Sequence, residues 1–378
     1  MADIINDLTL KLANYFMADD DHLSSFSVNG LITYLTLSLV NIGLLGPVKY
    51  QLLDFLKCNY TFVLISYPSY FLQYKCVDSF TLDEFLKIGN VKSAIFHSSP
   101  IIQNFRQIAH QTINMEFYHI DPKNKENQSS TIFEWARRLE DISFQININE
   151  PYEQDLSLLV MNQYYTRFQW KTPFHLRSTK RSQKFTDVYN VEREVQMMRR
   201  VEILKYCNDP FMKASMVFIP LQEDDLYAAV VLPYFDSTLK NLLKIMTNKT
   251  FESWFDKSFP QKVDLRLPKF GFDNKISLKP FLEFHQLSSL FNQDDADLSN
   301  MVSERGYLND YIHVSSIKIN ESGSYLPFTE DGQDVLHIRY NNPHQRLTIT
   351  KPFLFYIYKS TEKLILHFSV ITHPVDDK

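Results

Sequence analysis

Two stretches of the sequence indicate the fold most clearly. They are HVSSIKINESG (His313–Gly323) and KPFLFYI (Lys351–Ile357). Both predict strands, because β-branched and aromatic residues dominate them. The segment that joins them, from Glu321 to Lys351, is about 30 residues long and has two glycines, two prolines and few apolar runs. A connection of this length inside a compact domain is usually functional. We therefore predict an exposed functional loop over this segment.

Helical patterns precede this region, and strand patterns surround it. Helices are predicted for the apolar run Leu31–Leu45, for Ile102–Ile113 and for Ser130–Ile142, where apolar residues recur at helical spacing. Strands are predicted only from about Ser157 onward. Helices first and strands later favour an α+β fold over a doubly wound sheet. No repeat or low-complexity linker divides residues 1–378, so one domain is expected.

The composition excludes several functional classes. Only 8 of the 378 residues are glycine, and neither a Gly-rich phosphate-binding motif nor a G-x-S-x-G elbow occurs. Nucleotide binding and an α/β-hydrolase therefore lose their main support. The net charge of −5 does not favour nucleic acid as a partner. Polar residues break the longest apolar runs, so no membrane span is expected. The three cysteines form no C-x-x-C pair, and neither a disulfide framework, a metal site nor a cofactor is predicted.

Four N-x-[ST] sequons are candidate glycosylation sites, and they begin at Asn59, Asn127, Asn248 and Asn320. Such sites are used in secreted proteins. The N-terminus has neither the basic region nor the apolar region of a signal peptide. The sequons therefore favour a secreted glycoprotein only slightly over a cytoplasmic protein, and the compartment stays open.

The order of motifs along nearly the whole chain resembles the serpin family. IFEWA at Ile132–Ala136 is similar to the family's I-N-x-W-V helix, with Phe133 in place of its Asn. HVSSIKINESG is similar to the strand that enters the family's reactive loop, and KPFLFYI to the strand that follows the loop. Each motif is ordinary alone, but together they keep the family's order. The other matching motifs are LVMNQYY (Leu159–Tyr165), WKTPF (Trp170–Phe174), VQMM (Val195–Met198), VLP (Val231–Pro233), LRLPKF (Leu265–Phe270), LF (Leu290–Phe291) and ADLS (Ala296–Ser299).

This resemblance implies the α+β serpin fold, one domain over residues 1–378 with three β-sheets, about nine helices and an exposed reactive-centre loop at about residues 321–350. It also implies a serine protease inhibitor that acts as a suicide substrate and is not an enzyme. In inhibitory members the target protease cleaves the loop and forms an acyl-enzyme. The loop then inserts as a new central strand of the large sheet and distorts the protease. We expect a monomer whose partner is a serine protease.

The residues that would enter the sheet first form the loop hinge. Gly323 and Ser324 are small and suit insertion, but the residues that follow them are bulky. Inhibitory serpins usually have small residues at these positions. A proline in a central strand loses a ladder hydrogen bond, at a cost of about 1 kcal/mol, and each large side chain overpacks the core by about 1–3 kcal/mol. We therefore predict inefficient inhibition, with a non-inhibitory binding or structural serpin as the alternative. The hinge consists of Glu321, Gly323, Ser324, Leu326, Pro327 and Phe328.

Four residues match positions of the family's sheet-opening region, namely Ser27, Asn162, Trp170 and His313. Trp170 lies where the loop would first enter, and it is also expected in the core. The alternative for His313 is an ordinary core histidine with its hydrogen bonds satisfied. Three departures from the family pattern argue against easy opening of the sheet. They are Val28, Gly30 and Phe168, where the family has Pro, Ser and Gly.

The bond that a protease would cleave is not fixed by counting residues. Counting from either end of the loop gives positions between His337 and Asn341. Arg339–Tyr340 lies among them, and an arginine suits the S1 pocket of a trypsin-like protease, where a buried carboxylate binds it. The alternative is that Arg339 is only one exposed loop charge among several.

One basic segment raises the question of an anionic partner. Residues 167–205 carry ten Lys and Arg against four Asp and Glu in a net acidic chain. A sulfated polysaccharide is the candidate ligand, because such a segment attracts anions. The alternative, basic side chains on separate solvated strands without a ligand, is favoured.

Overall fold

The structure is a computed structural model that describes residues 1–18, 24–57, 81–144, 156–326 and 345–374. Over these ranges the chain forms nine α-helices and two short 3-10 helices. The α-helices are α1 (Ala2–Ala18), α2 (Gly30–Gly43), α3 (Gly46–Phe55), α4 (Asp83–Leu86), α5 (Gln103–Ile113), α6 (Lys125–Ala136), α7 (Leu239–Ile245), α8 (Asn248–Lys257) and α9 (Lys279–Phe284), and the 3-10 helices are Leu176–Ser178 and Ser288–Phe291.

Within the same ranges, eighteen strands form three hydrogen-bonded sheets of nine, seven and two strands. The strands are β1 (Phe26–Val28), β2 (Gly89–His97), β3 (Met115–His119), β4 (Arg138–Leu139), β5 (Ile142–Ser143), β6 (Leu158–Thr166), β7 (Phe168–Gln169), β8 (Lys180–Thr186), β9 (Glu192–Asp209), β10 (Ala214–Pro220), β11 (Leu226–Pro233), β12 (Phe259–Pro268), β13 (Phe270–Ser277), β14 (Leu308–Ile319), β15 (Gly323–Ser324), β16 (Gln345–Thr348), β17 (Phe353–Lys359) and β18 (Leu364–Ile371).

The sheet in the order β3-β2-β6-β14-β15-β7 carries the start of the predicted loop, and β13 pairs with β14 beside it. At its centre β6 and β14 run parallel, from Leu308 opposite Leu158 to Ser316 opposite Tyr165. We call this contact between β6 and β14 the seam. One face of the sheet lies on the main core, and the other packs on a smaller core with Trp135 of α6. A new central strand would have to open the seam.

The larger sheet has the order β1-β18-β17-β11-β10-β9-β12-β16, with β8 paired to β9. Every residue of β17 and β18 is buried, which explains why both read as nearly continuous apolar runs. β16 lies inside the segment predicted as an exposed loop, and it pairs parallel with β12. The prediction is therefore wrong for residues 345–348, because their backbone is hydrogen-bonded into this sheet. The two ends of the loop are therefore fixed in two different sheets.

The predicted helices at Leu31–Leu45 and Ile102–Ile113 are confirmed as α2 and α5. The prediction that strands begin only at about Ser157 is wrong, because β1 to β5 precede that residue. β2 escaped detection since its last five residues are all buried. Burial on both faces removes the alternation by which a strand is read from sequence.

The predicted helix Ser130–Ile142 is wrong at both ends, since α6 runs from Lys125 to Ala136. It starts earlier because the Asn124 side chain accepts a hydrogen bond from the backbone N–H of Asn127 and so caps the first turn. The short hairpin of β4 and β5 follows the helix immediately.

Candidate functional site at the loop hinge

The hinge leaves β14 and turns straight back into the same sheet. Asn320 closes this turn, because its Oδ1 accepts hydrogen bonds from the backbone N–H groups of Ser322 and Gly323 at 2.9 and 3.1 Å. Gly323 and Ser324 then form β15, which pairs antiparallel with the end of β14 on one side and with β7 on the other. Two hinge residues are thus already a strand of the sheet, at the end of the seam.

Close packing explains the residue types of β15. Gly323 has a φ of +149°, and a Cβ at this position would lie 2.0 Å from the carbonyl oxygen of Phe168. Only glycine fits without a shift of the backbone. Ser324 is completely buried, and its Oγ donates to the carbonyl oxygen of Thr166 at 2.7 Å. A small polar side chain therefore fills this position with its hydrogen bond made.

The base of the hinge is held by a buried ion pair. Glu321 is 2% exposed, and its carboxylate accepts from Lys269 Nζ at 2.9 Å and from Thr179 Oγ1 at 2.7 Å. The indole of Trp170, which is also buried, donates from Nε1 to the carbonyl oxygen of Asn320 at 3.0 Å. A buried carboxylate is tolerated when it is paired and hydrogen-bonded in this way. The first turn of the loop is therefore anchored to the sheet.

A polar network on the core side of the seam joins β2, β6, β14 and α2. Asn162 Oδ1 accepts from the Tyr311 hydroxyl at 2.7 Å and from Thr36 Oγ1 at 3.1 Å, and its Nδ2 donates to Ser93 Oγ at 2.7 Å. The Tyr311 oxygen also lies 2.8 Å from His313 Nε2. Because the hydroxyl proton goes to Asn162, His313 must donate from Nε2. All five residues are buried.

Burial also sets the charge of two histidines. Desolvation lowers the pKa of His313 to about 3, and it lowers the pKa of His367 to about 3 as well. His367 belongs to a separate chain of contacts, in which its Nε2 lies 2.7 Å from Ser369 Oγ and that oxygen lies 2.8 Å from Ser27 Oγ. The structure thus brings Asn162 and His313 together and places Ser27 in another network.

Two of the departures from the family pattern have local packing reasons. A Cβ on Gly30 would lie 2.1 Å from Thr9 Oγ1, so the close contact between α1 and α2 requires glycine. Phe168 is buried, with its ring stacked on Phe355 at 6.4 Å between centroids and edge-on to Trp170 at 5.2 Å. Packed aromatic rings therefore fill the place where the hinge enters.

The sequence analysis missed several residues that contribute to the polar network and to the hinge. Tyr311 could have been found, since it lies two residues before His313 in a strand and so shares its face. Ser93 and Thr36 give no such signal, because strand pairing and helix packing bring them to Asn162 from distant parts of the chain. Tyr325, which follows β15 and contacts both sides of the seam, was also missed.

Some of the predicted site residues lie outside the described residues, namely Pro327, Phe328, Arg339, Tyr340 and Asn59. Within the described ranges, no group of three or more His, Cys, Asp or Glu side chains is arranged to hold a metal ion. No helix in those same ranges is long and apolar enough to cross a membrane.

Nearly the whole chain matches one known protein family. The family model described as serpin (serine protease inhibitor) matches residues 4–374. The chain therefore belongs to the serpin family. The predicted α+β fold with three sheets and about nine helices is confirmed by the described residues and by serpin structures that superpose on them.

Among curated relatives, Iripin-8 of Ixodes ricinus is 27% identical over 230 residues, which is 59% of this chain and 56% of Iripin-8. Iripin-2 of the same tick is 25% identical over 276 residues, covering 72% of this chain and 68% of Iripin-2. The chain thus spans little more than half of the first of these relatives. A further relative is the leukocyte elastase inhibitor of Xenopus tropicalis, 27% identical over 57% of this chain and 58% of its own.

Solved structures of low identity share the fold. Human thyroxine-binding globulin superposes with a TM-score of 0.81 at 16% identity, covering 100% of this chain and 99% of its own. Native protease nexin-1 with heparin superposes with a TM-score of 0.80 at 18% identity, covering 99% and 98%. The similar proteins therefore include an elastase inhibitor among the sequence relatives and a thyroxine-binding globulin among the structures that share the fold.

Proposed function

We propose that a serine protease cleaves the loop of this chain and that the chain acts as an inefficient suicide inhibitor. The hinge is the observation that supports this proposal. Gly323 and Ser324 already form a strand at the end of the seam, which is where a longer inserted strand would begin. The chain is then a substrate and binding partner of the protease, not an enzyme.

The register of β15 indicates how further insertion would proceed. Ser324 lies opposite Ile319 in β14 and opposite Phe168 in β7. Both pairings are antiparallel, so a longer strand would continue down the seam with alternate residues on one face. Leu326 and Phe328 would then point into the main core on the same side as Ser324.

Insertion in this register carries identifiable costs. The parallel pairing from Leu308 to Ser316 has to open. Pro327 lacks the N–H of a ladder hydrogen bond, a loss of about 1 kcal/mol. Leu326 and Phe328 would enter a core that is already filled beside Tyr164, at about 1–3 kcal/mol each. Slow insertion gives the acyl-enzyme time to hydrolyse, and the protease then leaves active.

Incubation with trypsin tests the proposal. We expect cleavage after Arg339, with only a minority of molecules in an SDS-stable complex, because hydrolysis outpaces insertion. Mass spectrometry identifies the new N-terminus at Tyr340, and gel electrophoresis measures the complex. Arg339→Gln should abolish this cleavage, whereas the matched control Arg346→Gln, in strand β16, should leave it unchanged.

Two results would contradict different parts of the proposal. A high-yield SDS-stable complex near unit stoichiometry would contradict the predicted inefficiency. Resistance of the whole segment 327–344 to trypsin-like, chymotrypsin-like and elastase-like proteases would contradict cleavage itself.

A non-inhibitory serpin that binds another molecule or has a structural role is the second candidate. The packed ring of Phe168 beside β15 favours it, because that ring fills the main core on the side where Leu326 and Phe328 would have to pack. Under this reading, cleavage of the loop raises the melting temperature only slightly and no protease forms a stable complex. A large rise would show complete insertion and would exclude this candidate.

The basic segment 167–205 supports a polysaccharide partner only weakly. Most of its charges are neutralised locally, since six of the ten basic residues have a carboxylate oxygen within 4.0 Å. These six are Arg167, Lys171, Lys184, Arg193, Arg199 and Arg200. Heparin is bound in the structure of protease nexin-1, and for this chain a sulfated polysaccharide remains the weaker of the two proposed partners.

Sequon occupancy is predicted to differ among the described sites. Asn127 is exposed in the first turn of α6, whereas Asn248 Nδ2 donates to the carbonyl oxygen of Asp3 at 3.2 Å and Asn320 Nδ2 donates to that of Leu326 at 2.8 Å. After expression through a secretory pathway, glycopeptide mass spectrometry should find glycan on Asn127 and none on Asn320. Asn127→Gln should remove that mass shift. Glycan on Asn320 in the folded protein would refute the prediction.

A further inference from the structure

Tyr325 leaves the inserted part of the hinge in an unusual conformation. It follows β15 directly, and its φ of +49° lies in the left-handed region that non-glycine residues seldom adopt. Its backbone N–H still donates to the carbonyl oxygen of Lys318 at 3.1 Å. The chain therefore stays attached to β14 at this residue while its direction departs from that of a continuing strand.

The side chain of Tyr325 lies across the end of the seam. Its ring packs edge-on against the ring of Tyr165 of β6, with 5.9 Å between centroids. Its hydroxyl is hydrogen-bonded to Ser316 Oγ of β14, which in turn donates to Asp273 of β13. Tyr165 and Ser316 are the last paired residues of the seam. One loop side chain thus contacts both strands at the place where they would separate.

An inserting loop would have to occupy this same end of the seam. Ser324 pairs with Ile319 on one side and with Phe168 on the other. Continuing both antiparallel ladders by three residues puts position 327 opposite both Ser316 and Tyr165. The face there is the one under α6, because Tyr165 belongs to the smaller core and Tyr325 packs on that core. The phenol therefore occupies space that residue 327 would take on insertion.

We propose that Tyr325 is a latch that holds the hinge with two residues inserted and keeps the top of the seam closed. The loop cannot advance by a third residue until the phenol releases both Ser316 and Tyr165. Tyr325 then acts as a positioning residue that sets how many cleaved molecules trap a protease. This role rests on the proposed function, but the closure of the seam by Tyr325 does not.

The latch predicts an effect from a residue outside the loop. Ser316→Ala leaves the loop sequence unchanged and removes the hydrogen-bond partner of the phenol. If bulk in the hinge alone hindered insertion, this variant would behave like the wild type. If the latch operates, Ser316→Ala should have at least the effect of Tyr325→Phe, because it removes the bond to the phenol and also the one to Asp273. Adding Tyr325→Phe to Ser316→Ala should then have no further effect, since the bond to the phenol is already lost.

Hydrogen exchange of the uncleaved protein tests the latch without any protease. We expect the amides at the upper ends of β6 and β14 to exchange about fivefold faster in Tyr325→Phe, the factor expected for one hydrogen bond, and at least as much faster in Ser316→Ala. Tyr118→Phe is the matched control, because this tyrosine packs on the same core and donates its hydroxyl to Glu116 away from the seam. Unchanged exchange in Ser316→Ala, or additive effects in the double variant, would overturn the latch.

The trypsin assay then separates this inference from the proposed function. After cleavage, Tyr325→Phe and Ser316→Ala should both raise the fraction of SDS-stable complex, again about fivefold where the wild-type fraction is small. Faster exchange without any complex in wild type or variants would retain the latch as a closure of the seam and overturn its role in trapping a protease. Equal complex yields in wild type and Tyr325→Phe would overturn that role as well.

Discussion

Glu321→Gln is expected to lower the free energy of unfolding by about 3–5 kcal/mol, the cost of removing one partner of a buried ion pair. The carboxylate is 2% exposed and lies 2.9 Å from Lys269 Nζ. Its loss leaves Lys269, whose side chain is only 21% exposed, without its counter-charge. Urea unfolding measures the change. Because Glu321 anchors the first turn of the hinge, we also expect faster hydrogen exchange in β15.

A matched control distinguishes burial from charge alone. Glu192→Gln breaks an ion pair with Lys184 of similar length, 2.7 Å, in which both side chains are exposed. It should leave stability unchanged, since exposed pairs contribute little. Adding Lys269→Met to Glu321→Gln should restore most of the loss, because the unpaired charge is then gone. A Glu321→Gln variant as stable as the Glu192→Gln variant would contradict the prediction.

Acidification from pH 7 to pH 5 is expected to remove about 4 kcal/mol of stability through two buried histidines. Burial lowers the pKa of His313 and of His367 to about 3 in the folded protein, against about 6.5 in the unfolded chain. Between these values the unfolded chain binds the proton and the folded chain does not. Stability is therefore complete above about pH 6.5 and falls as the pH drops towards 3, by about 2 kcal/mol per histidine at pH 5.

Urea unfolding at pH 5, 6, 7 and 8 checks this dependence. His313→Gln with His367→Gln should flatten the curve in this window, because glutamine keeps a donor for Tyr311 and does not titrate. His110→Gln is the matched control, since His110 is exposed on α5. A double variant that keeps the full slope between pH 7 and pH 5 would show that other groups cause it.

The local sequence was sufficient to predict those helices and strands that have a clear hydrophobic pattern. The apolar runs of α2 and β17 have such a pattern, which was enough to predict both elements. β2 and β3 were missed because their strand character depends on what covers them. The order of the motifs along the chain indicated the family, and the family model agrees over residues 4–374. Local secondary-structure propensity contains no information about that order.

The candidate site also combines residues that the sequence predicted with contacts that only the structure shows. Gly323 was singled out from its place in a motif, and the structure adds the reason, a backbone approach that leaves no room for a Cβ. Asn162 and His313 were named as polar positions, but their link through Tyr311 became visible only when two parallel strands were set in register. The costs expected from Pro327 and Phe328 stay predictions, because these residues lie outside the described ranges.

The sequence by itself determined the family and the residue types of the hinge, since both depend on residue identity and order. Only the tertiary structure decided that two hinge residues are inserted and that Tyr325 bridges Tyr165 and Ser316. Those contacts join residues far apart in the chain, and their geometry depends on strand register. A shift of one residue would turn every one of these side chains to the other face of the sheet.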